Sequence, residues 1–368
     1  MNILFLDQFG ELGGAQRCLL DLLPALVDRG WGIRLAAPCG GQLAASAARF
    51  EVKVKPIPCG PFASGRKSLR DMARFAMQTP RLVGEIRRLA ERHRADLIYV
   101  NGPRLLPAAA YATRGEWPLL FHAHSFLDGY VRRLAGRSLE HARAAMVAAC
   151  RFVAAPLLPY SGDRGIRVVY NGVRDMAPPR RDAGAGIRIG MIGRISPEKG
   201  QADFLRAARI LHHLMPECRF VICGAPLFSD PEALRYCTSL ETLAEDLPVE
   251  FAGWQDDVET MLGTLDLLVA PSAGIEATPR VILEAFAAGV PVVAFAAGGI
   301  PELVEQGVTG FLVEQHSARA LAFAMQNALR DAPRLRQIAA AAQAKARSEF
   351  SLERYRRQMV EAIEAAAR

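Results

Sequence analysis

One pattern restricts the possible folds of this chain more than any other. Short apolar runs of strand character alternate with stretches of helical periodicity, and the alternation restarts halfway along. In the first half the strand candidates are NILFLD, GIRLAAP, VKVKPI, LIYVN, PLLFHAH, RFVAAP and RVVYNG, with helical stretches between most of them. The clearest helix is AQRCLLDLLPALVDRG, closed by Gly30. The second half begins with IRIGMIG and continues through RFVICG, VEFAG, DLLVAP, PVVAFA and GFLVE. Such alternation predicts parallel sheets covered by helices, an α/β chain of two doubly wound, Rossmann-like domains. A length of 368 residues suits two domains of ordinary size. Between the halves, RDMAPPRRDAGAGI is rich in Pro, Gly and charge and reads as a linker. The predicted division is 1–172, a linker at 173–186, a second domain at 187–349 and a closing helix at 350–368.

Doubly wound sheets bind ligands at the carboxyl ends of their strands, so the turn after each domain's first strand is informative. In GMIGRISPEKGQADFL, Arg194 and Lys199 stand among Gly190, Gly193 and Gly200, between a strand and a helix. Cationic side chains on a flexible turn at a helix entrance suit an anion, most simply a phosphate. The matching turn of the first domain is DQFGELGGAQ, where Gly13 and Gly14 precede the first helix and let backbone N–H groups approach a phosphate. It is not a GxGxxG turn, which argues against a dinucleotide oxidoreductase.

The segment PSAGIEATPRVILEAFAAG carries two glutamates. Thr278 and Pro279 predict the N-cap and first residue of a helix that stops at Gly289. Glu276 then lies in the loop before the helix and Glu284 in its second turn. Eight residues at helical rise span about 12 Å, so the pair is suited to gripping two parts of an extended ligand. Carboxylates accept paired hydrogen bonds from vicinal hydroxyls, which sugars and ribose offer. Glu284 sits among apolar neighbours, and a carboxylate there requires a partner.

The net charge of +7 is unevenly distributed: residues 1–172 hold 24 Lys/Arg against 13 Asp/Glu. Nine of those cations lie between Arg66 and Arg94, interleaved with Phe62, Leu69, Met72, Phe75 and Met77. A basic, amphipathic stretch of this kind suits an anionic membrane surface. No aromatic platform or nucleic-acid motif accompanies it, so nucleic acid is not an expected partner. No apolar run is long enough to span a bilayer, and the opening residues read as a strand and not as a secretory leader. Seven cysteines without a CxxC pair suit reduced thiols in a cytoplasmic setting, and Cys223 reads as a small core residue.

Taken together, GGAQ at 13–16, FHAHS at 121–125, VVYNGV at 168–173, GRISPEKG at 193–200, EATPRVILE at 276–284 and GGIPELVEQGVTGFLV at 298–313 resemble the retaining, GT-B-fold glycosyltransferases of family 4. The resemblance covers essentially the whole chain. It implies two Rossmann-like domains facing a cleft, with a nucleotide-diphosphate sugar as donor and a glycan or polyprenyl-diphosphate-linked saccharide as acceptor. It further implies that Arg194 and Lys199 neutralise the diphosphate leaving group, that Glu276 contacts the donor sugar and that Glu284 contacts the ribose. Gly13 and Gly14 would admit the diphosphate, Thr278, Pro279 and Arg280 would line the donor site, and His122 or His124, with His122 the preferred of the two, would lie near the transferred sugar. The closing helix would pack back on the first domain. Ala277, Thr278 and Pro279 depart from the glycine- and aromatic-containing loop common in the family, and Gln16 stands where Glu is frequent. No DxD motif is present, so no metal or other cofactor is expected. No enzymic nucleophile is evident, which favours same-face substitution over a covalent intermediate. The implied setting is bacterial polysaccharide or lipopolysaccharide synthesis on the cytoplasmic face of the inner membrane. A nucleotide-sugar epimerase of the same fold, or a non-catalytic homologue that binds nucleotide-sugars, are the alternatives.

Overall fold

The computed structural model describes residues 1–60, 69–177, 186–226 and 231–368. Residues 178–185 of the predicted linker, and Phe62, Arg66 and Lys67 of the basic stretch, lie outside the described residues, as do the side chains of Leu69 and Met72. The chain forms two compact units, one of Met1–Gly172 with Leu352–Arg368 and the other of Val173–Ser351.

The first unit is built on seven parallel strands: β1 (Asn2–Asp7), β2 (Gly32–Ala37), β3 (Val54–Pro56), β4 (Leu97–Asn101), β5 (Leu119–Ala123), β6 (Ala145–Ala148) and β7 (Arg167–Val168). Their spatial order is β3-β2-β1-β4-β5-β6-β7. The chain therefore winds outward from β1 in one direction, returns at β4 and winds outward in the other. That reversal opens a crevice at the carboxyl ends of β1 and β4. In the helix Gly14–Val27, Cys18, Leu19, Leu22, Leu23 and Leu26 are buried, one apolar stripe at helical spacing laid over the sheet. The helix Leu352–Ala367 packs beside it through Tyr355, Met359, Val360 and Ile363. It is pinned by Tyr355 Oη donating to the Cys18 carbonyl at 3.0 Å and Arg356 Nε donating to the Asp21 carbonyl at 2.6 Å.

The second unit has six parallel strands, β8 (Arg188–Ile192), β9 (Arg219–Cys223), β10 (Val249–Gly253), β11 (Leu267–Ala270), β12 (Val292–Phe295) and β13 (Phe311–Val313). Their order is β10-β9-β8-β11-β12-β13, with the corresponding reversal between β8 and β11. Both units are thus doubly wound, as the alternation of strands and helices predicts.

One predicted strand is not a strand. RFVAAP forms the helix Arg151–Ala154, continued by a 3₁₀ turn at Ala155–Tyr160, and the sixth strand is the preceding AMVA. Cys150, extended at the N-cap, turns the chain into that helix. The strand escapes detection because it is short and two of its four residues are alanine, whose intrinsic strand preference is poor, and pairing with β5 and β7 decides it.

Met359 is fully buried between the closing helix and the first helix. Met359→Ala is expected to destabilise the first unit by about 2–5 kcal/mol in urea unfolding. A cost within error of zero would show that the closing helix is dispensable to that unit's core.

Candidate functional site

In the first unit the crevice is lined by residues that share one register. Asp7 pairs with Asn101 across β1 and β4, and Asn101 pairs with His122 across β4 and β5. In-register residues of parallel strands project from the same face, so these three side chains stand side by side at the carboxyl edge. Asp7 is wholly buried, and its Oδ1 accepts from Gln16 Nε2 at 2.8 Å and the Phe9 N–H at 2.9 Å, while Oδ2 accepts from Asn101 Nδ2 at 2.6 Å. Burial pushes its carboxyl up to about 6, and the bonds from Asn101, Phe9, Gln16 and Gln8 offset part of that.

Both histidines lie at the end of β5. His122 is 1% exposed, and its Nδ1 is 2.5 Å from Tyr99 Oη. Its Nε2 is buried without a hydrogen-bond partner among the described residues. His124 is partly exposed, lies against His122 with ring centroids 3.8 Å apart and the rings tilted by 43°, and places Nε2 2.7 Å from Asn101 Oδ1. Burial lowers both imidazoles below 6.5, with the mutual repulsion of a second ring adding to the effect on His122, so both are neutral at pH 7.

At the turn before the first helix, Gly13 is the extended N-cap, and its N–H donates to Gln16 Oε1 at 3.1 Å. That donor is therefore engaged within the turn. A Cβ on Gly14, the first helical residue, would meet nothing within 4 Å.

In the second unit the turn after β8 and the loop after β11 converge at the crevice. Lys199 is ion-paired with Glu276, 77 residues away in sequence, and both side chains are largely covered. Arg194 donates to Glu198 at 2.5 Å, four residues on in the same turn, and Gln201 Nε2 holds the Arg194 carbonyl at 2.8 Å. Two glycines allow the convergence. Gly200 has φ +82°, and a Cβ there would stand 2.0 Å from the Pro271 carbonyl oxygen. Gly298 has φ +57°, and a Cβ would stand 2.1 Å from the Glu276 carbonyl oxygen, which accepts from the Gly299 N–H at 2.9 Å.

The helix carrying Glu284 spans Arg280–Ala288 and ends at Gly289 in the left-handed conformation. Its start differs from the sequence-based expectation by one residue. Pro279 is the N-cap, because its ψ of 114° leaves it outside the helix, and Thr278 is buried ahead of it. Glu284 Oε1 lies 3.7 Å from Arg280 Nε, a pairing across one helical turn. The structure thus brings Lys199 to Glu276 and Arg280 to Glu284. It also adds Asp7, Asn101, Tyr99 and Glu198, which sequence reasoning missed. Asp7 follows the apolar run ILFL in the strand NILFLD, and that buried-looking carboxylate was the available signal.

Comparison with known proteins bears on the family and the fold. Residues 12–175 match the sequence model described as Glycosyltransferase Family 4, and residues 181–345 match Glycosyl transferases group 1. The chain belongs to the family 4 glycosyltransferases. Among curated relatives of this family 4 chain, the D-inositol 3-phosphate glycosyltransferase of Salinispora tropica is 36% identical over 206 residues, covering 53% of this chain and 41% of that protein. The lipopolysaccharide 1,2-N-acetylglucosaminetransferase of Salmonella typhimurium is 35% identical over 167 residues, 44% of each chain. The chain thus matches less than half the length of these relatives. The crystal structure of Anabaena HepE in complex with UDP-glucose superposes with a TM-score of 0.82 at 26% identity, covering 99% of this chain and 100% of that one. The architecture is GT-B.

The Asp7 carboxyl titrates near 6 in the fold against an ordinary 3.8, so the folded chain holds a proton that the unfolded chain has released. Its stabilising contribution is full below pH 3.8 and is lost as pH rises through 6. Wild type is therefore expected to lose on the order of 3 kcal/mol relative to Asp7→Asn between pH 4 and pH 7. Urea unfolding of both proteins across that range measures it, and a constant difference would show that Asp7 ionises normally.

Proposed function

We propose that this chain is a retaining glycosyltransferase that moves a sugar from a nucleoside-diphosphate donor to a glycan or lipid-linked saccharide in bacterial polysaccharide or lipopolysaccharide synthesis. The observation that carries the proposal is the Lys199–Glu276 pair at the carboxyl edge of β8 and β11, clasped by Gly200 and Gly298. The UDP-glucose complex of HepE, similar along its whole length, makes a uridine donor the first to test.

In this reading Arg194 and Lys199 meet the diphosphate, whose oxygens compete with the Glu198 and Glu276 carboxylates for the two cations. Holding that charge as it grows on the leaving oxygen stabilises the transition state, since the donors are already aimed and partly dehydrated. Glu276, drawn from Lys199, accepts from hydroxyls of the sugar, and Glu284 accepts from the ribose. Thr278, Pro279 and Arg280 form the wall at the helix entrance, and Gly14 leaves room for the diphosphate. Of the two histidines, His124 is the ring that meets the sugar, because His122 is buried and committed to Tyr99. A neutral imidazole there serves as a hydrogen-bonding partner and not as a cationic acid. Departure of the diphosphate and attack of the acceptor on one face of the sugar retain the anomeric configuration.

The acceptor side of the proposal includes peripheral contact with a membrane through the first unit. In the helix Leu69–His93, Leu82, Ile86, Leu89 and Ala90 face inward, while Arg81, Arg88 and Arg92 are exposed. Met77 and Tyr111 are also exposed, and Tyr111 helps line a groove of about 510 Å³ with Thr79, Pro80, Val83, Arg114 and His141. Cations surrounding apolar side chains suit an anionic lipid surface. No helix among the described residues is long and apolar enough to cross a membrane.

Calorimetric titration with UDP, GDP and ADP in EDTA tests the donor site. Arg194→Ala and Glu284→Ala are each expected to weaken binding of the preferred nucleotide by about 10- to 100-fold, the worth of a charged hydrogen bond. Folded wild-type protein that binds none of the three sinks the assignment. Gly14→Ala supplies a complementary check. The fold has space for its Cβ, so unchanged unfolding with reduced turnover of UDP-sugars would report the approach of the ligand; unchanged turnover would remove Gly14 from the site.

A further inference from the structure

The hydrogen bonds around Asp7 constrain one another. An ionised carboxylate can only accept hydrogen bonds. Both amides that meet Asp7 must therefore turn their nitrogens toward it, and each then points its oxygen away. The Gln16 oxygen faces the Gly13 N–H at 3.1 Å, and the Asn101 oxygen faces His124 at 2.7 Å. Because Asn101 Oδ1 is an acceptor, the proton of neutral His124 must sit on Nε2. The Nδ1 lone pair is left as the ring's other polar feature.

We infer that Asp7 is a positioning residue: through Asn101 it sets which nitrogen of His124 carries the proton, and through Gln16 it braces the Gly13–Gly14 turn. One buried carboxylate thereby orients both arms of the first unit's crevice. His124 accordingly offers Nδ1 as an acceptor to a hydroxyl of the sugar, and a sugar position lacking that hydroxyl forfeits the contact. This consequence rests on the transferase function proposed above; the tautomer assignment does not.

The polarity reverses when Asp7 is protonated. A carboxylic acid can donate to Asn101 Oδ1, which lets the amide turn over, present Nδ2 to His124 and favour the Nδ1–H form. Asp7 lies among Gln16, Cys18, Cys59, Tyr99, Asn101, Arg104, His122 and His124. Burial raises the Cys59 thiol to about 12 and Tyr99 well above 10, and lowers both histidines, while Arg104 stays cationic. Asp7, near 6, is the group of this set that changes charge between pH 5 and pH 8.

The test is a long-range ¹H–¹⁵N spectrum of the full chain labelled at histidine, with the His124 signals assigned by their loss in His124→Gln. At pH 7.5 wild type is expected to show Nε2 protonated and Nδ1 bare. Asp7→Asn keeps the shape but can donate as well as accept, and should shift the tautomer ratio toward Nδ1–H by about five- to tenfold, the worth of one neutral hydrogen bond. Wild type taken from pH 7.5 to pH 5 should undergo the same shift with a midpoint near 6, which decides the matter even where the variant does not fold. A wild-type ring that is Nδ1–H at pH 7.5, or a ratio indifferent both to pH and to folded Asp7→Asn, overturns the inference. Absence of binding of UDP, GDP and ADP by wild type with the expected tautomer would count against the transferase function and leave the role of Asp7 standing.

Discussion

The structure depends on the parallel pairing of β1 with β4 at the point where strand order reverses. That pairing sets Asp7 against Asn101 and aligns Asn101 with His122 on the next strand. Helices above the sheet cannot fill the gap left where the chain winds away in two directions. The carboxyl ends of these strands therefore face a crevice, and polar groups there can be satisfied by one another or by a ligand. The second unit repeats the arrangement between β8 and β11, where it places Lys199 beside Glu276.

The two crevices achieve order by different means. In the second unit, loops approach so closely that a methyl group on Gly200 or Gly298 would collide with a backbone carbonyl. Positioning there is steric, and the charged side chains are supported by backbone contact. In the first unit, positioning is electrostatic: a buried carboxylate dictates the direction of each hydrogen bond around it. Burying that carboxylate costs free energy, which appears as its raised pKa. Retaining such a group at the end of an apolar run is understandable if the orientation it imposes matters to the ligand.

Much of the architecture was legible along the chain. Strand and helix periods alternate, Gly289 marks a helix end, and the apolar stripe of the first helix is plain in CLLDLLPAL. The misassigned RFVAAP shows the limit of that legibility, since an alanine-rich strand becomes a strand only through its neighbours. In the candidate site, Arg194, Lys199, Glu276 and Glu284 stood out because charge beside glycine or within an apolar helix is locally anomalous. Asn101 and Tyr99 carried no such signal, as polar residues at strand ends are common and their partners lie far off in sequence.

By itself the sequence determined the fold class, the order of its elements and the presence of charged residues at the turns that follow the leading strands. These are local properties, governed by periodicity and turn chemistry within a few residues. Only the tertiary structure decided that Lys199 meets Glu276, that His122 is buried while His124 reaches the surface, and that Asp7 governs both the Gly13 turn and the His124 ring. Those outcomes depend on sheet register and on hydrogen-bond direction among residues up to 94 positions apart, and neither quantity is written in any single stretch of the chain.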